Sequence, residues 1–109
     1  MAIAKDDVTA SLKGAADTAH SAFTTAALID PIGAKPLWVD SINATNIYLT
    51  ALQQQLAGDD ADIKAAQDAL DKATQEINDM LGTLNDVAAA IQIVGKLLTL
   101  VGSVAKFFA

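Results

Sequence analysis

Apolar residues recur at intervals of three and four along almost the whole chain. That spacing gathers side chains on one face of an α-helix, whereas a strand would need strict alternation. The first run, Val8, Leu12, Ala15, Ala19, Ala22, Ala26 and Ile29, widened by Ala16, Phe23 and Ala27, predicts a helix over residues 6–29. Asp6 and Asp7 stand at its start, where free N–H groups and the helix dipole favour acids. The seam is mostly alanine, so a neighbouring helix can approach closely. Residues 30–36 then carry Pro31, Gly33 and Pro36, which end the helix.

Pro36 suits the first turn of a second helix. Trp38, Ile42, Thr45, Leu49, Leu52 and Leu56 step by four and three, Gly58 offers a stop, and the spacing predicts a helix over residues 37–57 with this row facing the core. On that reading Trp38 is a core residue, favoured over an interfacial anchor. Asp59, Asp60 and Asp62 follow as cap and first-turn acids of a third helix.

From Ile63 the pattern is the most regular in the chain. Ile63, Ala66, Leu70, Ala73, Ile77, Met80, Leu84, Val87, Ile91, Val94, Leu98, Val101, Ala105 and Phe108 make an unbroken heptad seam. After Asp86 a second seam joins it: Ala90, Ile93, Leu97, Leu100, Val104 and Phe107. One continuous rod over residues 63–108 would be about 70 Å long. The segment Gly82-Thr83-Leu84-Asn85-Asp86 argues against it, with a C-cap glycine, a Thr83/Asp86 capping box and an Asn/Asp start signal. Length matching favours the break, because four helices of similar length cover one another, whereas two short helices leave half a rod bare. The expected fold is all-α: a small antiparallel four-helix bundle forming a single domain over residues 1–109. The alternative is three helices with one long C-terminal helix from about 60 to 108.

The final stretch, residues 87–109, changes the picture most. Its polar side chains, Gln92, Lys96, Thr99, Ser103 and Lys106, fall on one narrow stripe, and the rest of the circumference is apolar. A helix apolar nearly all round is either a buried core helix or a membrane segment. Charge divides at the same place. Residues 1–86 hold thirteen acids and five lysines, a net of −8, and residues 87–109 hold two lysines and no acid, which gives the total of −6. All seven basic residues are lysine and no basic patch is visible, which excludes a nucleic-acid binder.

Candidate chemistry is sparse. The chain has no cysteine, one histidine and one glutamate, so thiolate zinc, disulfide and bundle-type carboxylate metal centres cannot be assembled. The spacing of Asp59, Asp60 and Asp62 lacks the glycine and closing glutamate of a calcium loop. His20 has Asp17 three residues before it and Ser21 beside it, which is not triad geometry, and reads as a surface imidazole. Gly95 and Gly102 are read as gaps that let the alanine-rich first helix approach. No enzyme, cofactor or metal is expected. The opening MAIAKDDV has no apolar run of a secretory signal, and the compartment is left open.

Two functions follow as expectations. In one, the sheltered C-terminal helix acts on a lipid membrane as a permeabilising or pore-forming element. Ile91, Ile93, Val94, Leu97, Leu98, Leu100, Val101, Val104, Phe107 and Phe108 would then be the interacting side chains, and Gln92, Lys96, Thr99, Ser103 and Lys106 the polar stripe. In the other, the C-terminal heptad seam assembles with copies of the chain or a protein partner as a structural scaffold.

Overall fold

A computed structural model describes residues 3–109; Met1 and Ala2, the first residues of the stretch read for a secretory signal, lie outside it. Four helices make the fold: α1 (Lys5–Ile29), α2 (Lys35–Leu52), α3 (Asp60–Leu81) and α4 (Val87–Ala105). No strand occurs among the described residues, and the bundle measures 45 × 23 × 17 Å.

The C-terminal heptad run is two helices. Asp86 is the N-cap of α4, its Oδ1 accepting from Ala88 N at 3.0 Å and Ala89 N at 3.4 Å. The box expected of Thr83 does not form, because its hydroxyl donates to the Met80 carbonyl at 3.2 Å. Asp59 caps α3 in the same way as Asp86, accepting from Ala61 N and Asp62 N. The aspartates at residues 59–62 are thereby accounted for by helix initiation.

Cross-chain bonds fix the directions. Gln67 Nε2 of α3 donates to Ser11 Oγ of α1, and Thr18 Oγ1 donates to Asn78 Oδ1, so α1 and α3 run parallel with residues about sixty apart in register. Lys5 Nζ reaches the Leu52 carbonyl at 3.0 Å, placing the end of α2 beside the start of α1. Each helix therefore runs antiparallel to the next, while α2 crosses to α3 along a diagonal. α1 and α4 touch through the centre, and α2 and α3 do not meet.

The α2–α3 connection holds the largest departure from the sequence reading. α2 ends at Leu52 rather than near residue 57, because the following backbone pairs with the chain end. Gln55 and Ala109 exchange two hydrogen bonds of 2.9 Å and Ala57 N donates to the Phe107 carbonyl at 2.8 Å, forming an isolated antiparallel bridge between Leu56 and Phe108. Gly58 makes the turn possible. Its φ of 149° is open to glycine, and a Cβ there would run into the Phe107 ring.

One apolar core runs through all four helices, from Val8, Leu12 and Ala15 of α1 through Leu37 of α2 and Leu70 of α3 to Val94, Leu97 and Val101 of α4. The two ion pairs among the described residues, Lys13–Asp17 and Lys64–Asp68, each lie within one helix on the surface. What joins helix to helix is therefore chiefly apolar packing.

Candidate functional site

α4 is held where its pattern demands. Val94, Leu97, Val101 and Val104 are buried, as is Phe108 just beyond the helix, and Ile91, Ile93, Leu98, Leu100 and Phe107 are half-buried against the same core. Gln92, Lys96, Thr99 and Lys106 lie exposed, with Ser103 half-buried beside them. The stripe's hydroxyls are already bonded within the helix: Thr99 Oγ1 donates to the Gly95 carbonyl and Ser103 Oγ to the Thr99 carbonyl, both at 3.2 Å. Lys106 extends its ammonium over the Phe107 ring, 5.2 Å from the centroid.

Gly95 and Gly102 do not do what their positions suggested. A Cβ at either would meet nothing within 4 Å, so no neighbouring helix uses the space. The close approach lies elsewhere, between α1 and α2, where Ala15, Ala19, Ala22 and Ala26 face the small residues Ser41, Ala44 and Ala51.

That contact overturns the orientation read for α2. The row Trp38, Ile42, Thr45, Leu49 and Leu52 faces solvent, Trp38 with half its surface exposed, and the buried row is Leu37, Ser41, Ala44, half-buried Tyr48 and Ala51, one residue earlier at every step. Both rows step by four and three. The smaller one wins because bulky side chains on it would hold α2 away from the alanine seam of α1. Ile29, placed on the α1 seam by its spacing, is likewise exposed, together with Leu28 (89%) beside it at the end of α1 and Ile32 (78%) in the turn between the helices.

Three grooves accompany these faces. One of about 430 Å³ lies between α3 and α4, lined by Ala73, Ile77, Met80, Ile93 and Leu97 with Glu76 and Lys96 at its rim. Trp38 separates the other two: about 470 Å³ toward Phe23, Pro31 and Lys35, and about 350 Å³ toward His20, Ile42 and Asn46. Between α2 and α4, Asp40 sits beside Ala44, Val94 and Leu98, and burial pushes its carboxyl above the ordinary carboxylate value.

No converging set of catalytic groups appears among the described residues. His20 is exposed with its ring 6.3 Å from that of Phe23, and Asp17 is bonded to Lys13 at 2.9 Å. No cluster of His, Cys, Asp and Glu among the described residues is arranged to hold a metal ion. No known protein family, curated protein or solved structure matches this chain. The reading of function therefore rests on the faces of α2 and α4.

Proposed function

We propose that the protein is a non-enzymatic helical bundle that acts on lipid membranes by releasing α4 from its shelter. The observation that carries this reading is the character of α4, a 19-residue helix long and apolar enough to cross a membrane by length and composition. At 1.5 Å per residue it spans about 28 Å, close to the roughly 30 Å of a hydrocarbon core.

Two further features support it. Thr99 and Ser103 carry their own hydrogen-bond acceptors within the helix, so moving them into lipid leaves no hydroxyl unsatisfied. No ion pair among the described residues ties α4 to another helix, so beyond the backbone bridge of residues 107–109 to residues 55–57 its departure breaks chiefly apolar contacts that lipid can replace. Lys96 sets the mode of insertion. Facing lipid at mid-span it would cost about 2.5 to 3.5 kcal/mol, so the stripe of Gln92, Lys96, Thr99, Ser103 and Lys106 turns toward a wet lumen or the headgroup layer. The scaffold reading through the C-terminal seam has less support, since Ile63, Leu70, Ile77, Val94, Val101 and Phe108 are all covered within the monomer.

Dye release from liposomes tests the proposal. The intact chain is expected to bind vesicles and release a trapped dye, with Leu97 and Leu100 moving from protein to lipid. Absence of both binding and leakage at every pH and lipid composition would overturn it.

A further inference from the structure

We infer that the outer face of α2 is a self-association surface, on which a second copy of this chain docks through its own α2 about a two-fold axis. The inference does not depend on membrane action.

Three observations select this occupant. The first is area. A large apolar side chain offers on the order of 150–200 Å², so at their exposures Trp38, Val39, Ile42, Leu49 and Leu52 present roughly 400 Å², with Ile32 in the preceding turn adding on the order of 100 Å². A standard interface takes about 800 Å² from each partner, a little over half of it apolar. The face is therefore near the size a stable dimer needs, and at the upper end of what a monomer leaves bare.

The second is charge. Residues 41–58 contain no charged side chain, in a molecule of net charge −6. α3 carries six acids and two lysines, a net of −4, and stands diagonally across the bundle from α2 without touching it. Two identical acidic molecules can approach with least repulsion through the uncharged face, which leaves both α3 helices on the far sides. A bilayer surface fits less well, because helices that lie on lipid carry lysines or arginines along their flanks. Along α2 this face is flanked by the uncharged Asn43, Asn46, Thr50 and Gln53, and charge stands only at its ends, Lys35 and Asp30 at one and the Lys5 ammonium on the Leu52 carbonyl at the other.

The third is symmetry. A two-fold interface must complement itself. The stripe reads nearly the same in both directions about the Thr45–Asn46 step, with Ile42 and Leu49 equally distant on either side and Trp38 and Leu52 near the ends. In an antiparallel pair Ile42 of one copy lies opposite Leu49 of the other, and the neutral Thr45 and Asn46 meet at the axis.

Sedimentation equilibrium at high micromolar concentration is the test. The wild-type chain is expected to dimerise, and Ile42→Asp or Leu49→Asp to weaken the dimer by about thirtyfold or more, the effect of losing a central interface residue. Because both side chains are exposed, circular dichroism should show the helix content unchanged. The chain has no cysteine, so Thr45→Cys should form a disulfide-linked dimer on oxidation while Ala65→Cys on the outside of α3 does not. A strictly monomeric wild type, or aspartate variants that associate as tightly as wild type, would overturn the inference. So would a monomer whose vesicle binding is lost in Ile42→Asp, since the face would then belong to lipid. Dye leakage can succeed or fail independently of each of these results.

Discussion

Phe108 lies antiparallel to Leu56 across an isolated backbone bridge that ties the chain beyond α4 to the connection between α2 and α3, and its side chain is buried in the core. The hydrogen bonds from Gln55, Ala57 and Ala109 that frame this bridge are the backbone link between the chain end and the rest of the bundle. If α4 is the element that leaves, this is where it is fastened. Phe108→Ala should cost about 3 kcal/mol of stability, typical of removing a buried phenylalanine. Hydrogen exchange should show residues 98–109 opening faster than α1, and dye release should speed up. Unchanged exchange in that segment would show that the bridge does not hold it.

Asp86 divides the longest heptad run in the chain, and its carboxylate serves the first free N–H groups of α4. Asp86→Ala should lower stability by about 1 kcal/mol, the usual worth of an N-cap. Asp86→Asn keeps an acceptor and should lose only part of that. Thermal denaturation of the two variants checks the ranking, and an equal loss in both would point to the charge at the helix start instead of the cap.

The α3–α4 break was legible because local capping chemistry sits in five residues and needs no tertiary information to be read. The α1 seam was legible for the same kind of reason, with Val8, Leu12, Ala15, Ala19, Ala22 and Ala26 buried as their spacing predicts and Ile29 alone exposed. α2 was misread because it carries two rows with identical periodicity, and hydrophobicity ranks Trp38, Ile42 and Leu49 above Ser41, Ala44 and Ala51. What decides between them is the width of the gap beside α1, a property of the partner helix. A small-residue row on α2 matching the alanine row on α1 was the available signal. The early end of α2 at Leu52 had no local signal, since it follows from pairing with residues some fifty positions later. For the candidate site, the positions of Val94, Leu97 and Lys96 could be read from periodicity. The idleness of Gly95 and Gly102 could not, because spacing says nothing about what stands opposite a glycine.

Asp40 gives the fold a pH dependence of definite sign. Its carboxyl is raised above the ordinary value of 3.8 by partial burial between α2 and α4, so the native state disfavours the ionised form. That penalty is present at neutral pH and vanishes at pH values below the ordinary value, where the group is protonated both folded and unfolded. Asp40→Asn should therefore stabilise the protein at pH 7, by less than about 1 kcal/mol because water still screens the group. The gain should shrink as pH falls through the carboxylate range. Melting curves against pH would show it, with Asp71→Asn on the exposed side of α3 as the control; a gain independent of pH would assign the effect to something other than ionisation.

Gly95 and Gly102 weaken α4 as a helix without repaying it in packing, since nothing occupies the space beside them. Glycine inside a helix is about 1 kcal/mol less favourable than alanine. Gly95→Ala, at mid-helix, should stabilise the soluble bundle by about 0.5 to 1 kcal/mol, and Gly102→Ala, in the last turn, by less. In a domain of this size the first corresponds to a rise of roughly 2 to 8 °C in melting temperature. The membrane reading adds a second consequence, because small residues allow helices to approach closely once they are in lipid. Both alanine variants should then release dye more slowly than wild type while binding vesicles as well. A bundle made more stable with leakage unaffected would mean that these glycines serve neither the fold nor the pore, and a loss of stability would contradict the open space beside them.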